Sequence, residues 1–189
     1  MLKTWSALAA AAWLLAPAPA GAAAVDLHVH LLMDASLPWI FRGHPTAEPA
    51  RVSGRKSRFV NQVSLKDLEA ADVRLVAAAL YAPSVLSQFR GGYAKALLCQ
   101  IAAVEKWAAG DPRVSIVRSA DEAEGVLKSK EWRMGVIIAA EGTHGVNSAE
   151  RLDALWDRGL RMLTIAHFSD GPWAGAAAVR YWPRSTCVP

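Results

Sequence analysis

Apolar residues along this chain fall into short, near-continuous runs separated by stretches with helical spacing. Residues 25–32, 73–81, 114–117, 134–140 and 161–166 read as five strands. Runs as apolar as 73–81 are expected of strands covered on both faces, and 25–32 is read the same way. Ser64 is a capping residue in front of a helix over 65–71, with Asp67 in its first turn. Residues 93–109 carry Leu97, Leu98, Ile101, Val104 and Trp107 at helical spacing and stop at Gly110-Asp111-Pro112. Further helices are expected over 119–130, which opens with a cap and two acidic residues, and over 148–158, ended by Gly159. Residues 33–63 hold Pro38, Gly43, Pro45, Pro49 and Gly54 and read as a long loop. Strand and helix alternate, so the expected class is α/β, a parallel sheet with helices outside.

The first 24 residues follow a different pattern. Lys3 is followed by an uncharged apolar stretch over 5–16 and then by Pro17-Ala18-Pro19-Ala20-Gly21-Ala22-Ala23-Ala24, rich in Ala-x-Ala sites. That is the order of a secretory signal peptide. The apolar core is shorter than the roughly 20 residues of a membrane span, so no stable span is expected after cleavage. The mature chain is expected in the periplasm or outside the cell, with an uncleaved membrane anchor as the alternative.

About 165 residues remain, enough for one domain with its own core. The formal charge is +4. Its one dense basic cluster, Arg51, Arg55, Lys56 and Arg58, has no interleaved aromatics, so no nucleic-acid partner is expected. Cys99 and Cys187 are too few and too far apart for a disulfide framework or a zinc site. Cys99 reads as a small buried residue of its helix.

The candidate chemistry lies where strands end. In a strand, residues i and i+2 point to one side, so His28 and His30 aim two imidazoles at one point. Imidazole is the commonest metal ligand near neutral pH. Glu141 follows the run Val136-Ile137-Ile138-Ala139-Ala140, and His167 follows the fifth strand. In parallel α/β folds the chemistry sits at the carboxyl ends of strands. A carboxylate there can bridge two divalent ions about 3.5–4 Å apart, which together activate a water. The blander reading, histidines on a solvated face, gives no reason for them to gather at strand ends.

The stretch Ile138-Ala139-Ala140-Glu141-Gly142-Thr143-His144 resembles the Ile-Glu-Gly-Gly-His region of the membrane dipeptidase (renal dipeptidase) family. Residues 152–159, then Arg161-Met162-Leu163-Thr164-Ile165-Ala166-His167 and Pro172-Trp173, are similar to that family's helix, Gly, Arg-Tyr-Leu-Thr-Leu-Thr-His and Pro-Trp pattern. The resemblance covers 25–174 and is strongest over 134–174. It implies a TIM-barrel-type (β/α)₈ metallohydrolase with a binuclear zinc site that cleaves dipeptides. It implies that His28, His30 and Glu141 bind zinc, with Glu141 as the bridge, and that His167 contacts the substrate.

Two positions depart from the family. Its first-strand pair is His-x-Asp, whereas this chain has His28-Val29-His30, the pair of the wider amidohydrolase superfamily. Its second glycine is Thr143, and a β-branched residue resists positive φ. A complete barrel takes roughly 250 residues, and this chain supplies about five strands of eight. The family's later-strand ligands have no counterpart here, since neither His44 nor His144 stands in for them. Residues 25–174 are therefore expected to form the N-terminal part of the barrel, and 175–189 an irregular, aberrant tail. Such a chain is expected to be inactive alone and open at an edge through which it could self-associate. Two other readings stay open. One is a different amidohydrolase-type enzyme, such as a lactonase or deacetylase. The other is a non-catalytic binding module.

Overall fold

The computed structural model describes residues 23–31, 63–81, 92–167 and 171–175. Within them the order is β1 (Ala24–Val29), α1 (Leu65–Ala70), β2 (Val73–Leu80), α2 (Tyr93–Gly110), β3 (Val114–Ile116), α3 (Ala120–Leu127), β4 (Met134–Glu141), α4 (Ala149–Asp157) and β5 (Leu160–Thr164). The signal-peptide stretch, the loop with His44, Cys187 and the tail after 175 lie outside the described residues.

The helix starts follow their caps. Ser64 and Asp67 form a reciprocal capping box, and the Ser119 and Ser148 hydroxyls accept from the backbone N–H groups of Glu122 and Arg151. Gly159 takes a φ of +99° after α4, a conformation open to glycine at little cost.

All strand pairs are parallel. One edge of β4 pairs with β2, from Leu75↔Gly135 to Leu80↔Ala140, and β2 in turn pairs with β1. The other edge of β4 is shared. β3 takes its first residues, Met134 to Val136, and β5 takes Ile138 to Glu141. Five strands thus fill four lateral positions, and near the carboxyl ends the neighbours are β1, β2, β4 and β5.

The core lies between sheet and helices. Val76, Met134, Val136 and Ile138 of the sheet meet Ile101 and Val104 of α2 and Leu155 of α4, all at most 1% exposed. An Arg158–Glu105 ion pair ties the end of α4 to α2.

Two expectations are corrected. β1 is not a buried strand: residues 25–28 are exposed, and Val29 is its buried residue. Among the described residues β1 pairs with β2 alone, so it sits at the sheet edge, where neither face is fully covered. Cys99 is exposed. The buried stripe of α2 runs through Leu97, Ile101 and Val104, and a residue two positions from Leu97 points away from it at about 100° per residue.

Candidate metal centre

The carboxyl ends of β1 and β4 bring three expected residues together. His28 and His30 lie on one side of β1's end, two residues apart. Glu141 closes β4, where Gly142 turns the chain with a φ of +89° and donates its N–H to the Thr164 carbonyl at 3.1 Å. Thr143, at the family's second glycine, does not adopt positive φ. It is buried, and its hydroxyl donates to the Ile165 carbonyl at 3.2 Å, tying the turn to the residue after β5. The strain that a β-branched residue would suffer is avoided because the left-handed position falls one residue earlier, on Gly142.

His28 Nε2 and His30 Nε2 lie 3.3 Å apart. Glu141 Oε1 is 3.3 Å from His28 Nε2, and Oε2 is 3.5 Å from His30 Nε2. One donor atom from each residue fits within a 4.8 Å group. An ion bound tetrahedrally at about 2.0–2.1 Å holds its donors roughly 3.3–3.4 Å apart. The triangle therefore has the dimensions of a zinc donor set.

The burial fits as well. The Glu141 side chain is 8% exposed, and its Oε2 accepts no hydrogen bond from the described residues. A buried carboxylate oxygen without a partner carries a large desolvation penalty, which a cation would remove. Two imidazoles and a carboxylate are the donor types zinc takes in hydrolytic sites.

His167, three residues past β5, also reaches this carboxylate, with Nε2 3.0 Å from Glu141 Oε1. Burial holds its imidazole below the usual histidine range. Glu141 pulls the other way, and His30, His144 and His28 add to the lowering. His144 stacks on Tyr93, the first residue of α2, at 4.8 Å between centroids.

Two neighbours escaped the sequence reading. The Asp26 carboxylate accepts from the His28 backbone N–H at 3.0 Å. The Tyr81 ring, just past β2, meets His167 edge to face at 4.8 Å. Burial pushes the Tyr81 phenol above its ordinary range, and Glu141 and Tyr93 add to it. The signal for Tyr81 was present, since it is a polar residue closing an apolar strand.

The model of the membrane dipeptidase family (peptidase family M19) matches residues 22–186. The chain belongs to this family. Membership favours the dipeptidase resemblance over the other amidohydrolase-type readings that His28-Val29-His30 had left open. No curated protein matches the chain. Solved structures show the same fold. The probable dipeptidase PvdM from Pseudomonas aeruginosa superposes with a TM-score of 0.59 at 13% identity, over 82% of this chain and 37% of its own. A metallopeptidase from Rhodobacter sphaeroides, liganded with a phosphinate mimic of the dipeptide L-Ala-D-Ala, gives 0.52 at 16% identity, over 75% of this chain and 44% of its own. Dipeptidase AC, a metallopeptidase of family M19, gives 0.53 at 16% identity, over 77% and 43%. The chain thus spans less than half the length of these structures, and its parallel α/β sheet corresponds to part of their TIM-barrel-type fold.

Proposed function

We propose that this chain carries part of the active centre of a zinc dipeptidase, with His28, His30 and Glu141 as metal ligands. The observation that carries this reading is the donor triangle of 3.3, 3.3 and 3.5 Å closed on a buried, unsatisfied carboxylate oxygen. In such a site zinc supplies activation of water and polarisation of the peptide carbonyl.

The chain's own residues have distinct parts. His28 and His30 offer neutral nitrogen donors from one strand end. Glu141 brings negative charge and two oxygens, one towards each histidine, so it would complete the donor set of an ion held by both; as the bridge, it would also share its carboxylate with a second ion. His167, kept neutral by burial, offers an N–H to a substrate oxygen when a dipeptide enters. Two imidazoles and one carboxylate suit one tetrahedral ion with one open position. A second ion needs donors beyond this set. We therefore place the activity of the 189-residue chain at least about 10³-fold below that of a complete binuclear relative, about 4 kcal/mol of transition-state stabilisation.

Residues 1–24 are proposed to direct export. No helix among the described residues is long and apolar enough to cross a membrane. Self-association is proposed through β1 and β5. Among the described residues each pairs on one side only, and Val25, Leu27, Met162 and Ile165 are exposed nearby.

The deciding experiment is calorimetric titration of the metal-free chain with Zn²⁺, followed by dipeptide hydrolysis. One zinc per chain is expected, with affinity lowered at least about 100-fold in His28→Ala and in Glu141→Gln, beyond the range seen for outer-shell changes. Unchanged zinc binding in both variants would sink the assignment.

A further inference from the structure

β2 ends in a way that its role as a sheet strand does not require. Gln100 of α2 is 2% exposed, a polar side chain on a helix face whose other buried residues are apolar. Its side-chain Nε2 donates to the Tyr81 carbonyl at 3.0 Å, in the residue that follows β2. A leucine would fill that volume without the cost of burying an amide, so the hydrogen bond is the structural return for a polar side chain there. Gln100 thereby anchors the backbone that carries Tyr81. The Tyr81 ring then stands against His167, centroids 4.8 Å apart and planes at 73°, the edge-to-face arrangement aromatic rings favour. On its other side, His167 places Nε2 3.0 Å from Glu141 Oε1. A carboxylate oxygen accepts, so this contact calls for the proton on Nε2.

His167 lies three residues beyond β5, and among the described residues no strand pairing reaches it. Its ring orientation is therefore set by what it touches.

We infer that Tyr81 is a positioning residue: held by Gln100, its ring fixes the plane in which His167 presents its Nε2–H, which Glu141 accepts in the free site and a substrate oxygen takes over when it enters. The substrate part rests on the zinc dipeptidase reading, whereas the contact itself does not. An edge-to-face ring restricts imidazole rotation, and in the orientation so fixed the Glu141 carboxylate favours the Nε2–H tautomer, the preparation a hydrogen-bond donor needs before substrate arrives.

The test is histidine side-chain NMR on the full 189-residue chain, wild type beside Tyr81→Phe and Tyr81→Leu, each titrated with Zn²⁺. The expected wild-type result is a nuclear Overhauser contact between the Tyr81 ring and His167, with a single Nε2–H tautomer. Tyr81→Phe keeps that tautomer because it keeps the ring edge. Tyr81→Leu loses it to an average of both, while Zn²⁺ still shifts the His28 and His30 signals. An unchanged His167 tautomer in Tyr81→Leu overturns the inference. So does loss of the tautomer in Tyr81→Phe, or absence of the wild-type Overhauser contact. If Tyr81→Leu does not fold, the wild-type contact and the Tyr81→Phe spectrum decide by the same criteria. If Zn²⁺ shifts neither His28 nor His30 while the Tyr81 contact and tautomer persist, the metal reading falls and the positioning role stands.

Discussion

His28 and His30 meet nitrogen to nitrogen, Nε2 to Nε2 at 3.3 Å, with their rings at 83°. A neutral pair can share one N–H, but a cation between the nitrogens satisfies both lone pairs and the Glu141 carboxylate as well. Zinc should therefore stabilise the fold it binds. At free zinc roughly 100-fold above Kd the gain is about 2.7 kcal/mol, visible as a raised Tm that a chelator reverses. An equal gain in His30→Ala would show that zinc binds elsewhere.

Gly142 carries the turn that aims Glu141. A Cβ there would lie 3.1 Å from His144 Nδ1, on a backbone at φ +89°. Gly142→Ala should cost about 1–3 kcal/mol of stability from left-handed strain. It should also weaken zinc binding, because the strain is relieved by moving the strand end. Chemical denaturation with a zinc titration checks both, and wild-type values for each would contradict this account.

Arg113 supplies the pH dependence that can be assigned. Its side-chain hydrogen bonds hold the Asp111 carboxyl below its ordinary 3.8. A depressed carboxyl stabilises the fold above its unfolded pKa and loses that contribution as pH falls through the folded value. The pair is partly exposed, so Arg113→Met should cost only about 0.2–1 kcal/mol near neutrality. The difference between variant and wild type should shrink as pH falls below 3.8. Urea melts across that range would show it, and a difference that grows in acid would reverse the sign.

If the chain associates through β1 and β5 as proposed, association should depend on concentration. Sedimentation of the 189-residue chain should show species larger than a monomer. Leu27→Lys combined with Met162→Lys should reduce them by placing charge beside both sheet edges. A monodisperse wild-type monomer at high concentration would exclude this route.

Export predicts a mature N-terminus between Gly21 and Asp26. β1 begins at Ala24, so cleavage before that residue leaves the whole strand in the mature chain. N-terminal sequencing of secreted material decides the matter, and an intact Met1 in a soluble cytoplasmic fraction would contradict it.

Much of this was legible in the residues themselves. β2, β4 and α2 announced themselves through apolar period and caps, because burial and local hydrogen bonding act over neighbouring residues. His28, His30 and Glu141 could be grouped from strand ends alone, since a parallel sheet gathers its carboxyl ends on one side. The exposure of β1 was not legible, because an apolar strand reads the same whether or not a neighbour covers it. Cys99 was misplaced for a simpler reason: its apolar neighbours were weighed in place of helical phase, which already turns it away from the Leu97, Ile101 and Val104 stripe. The sharing of β4 between β3 and β5 depends on pairings across tens of residues, which no local pattern encodes. Tertiary structure alone decided that Tyr81 stands against His167, that His144 turns to Tyr93, and that the donor distances match zinc. Those relations join residues from different strands and helices, and their geometry is set by how the sheet packs.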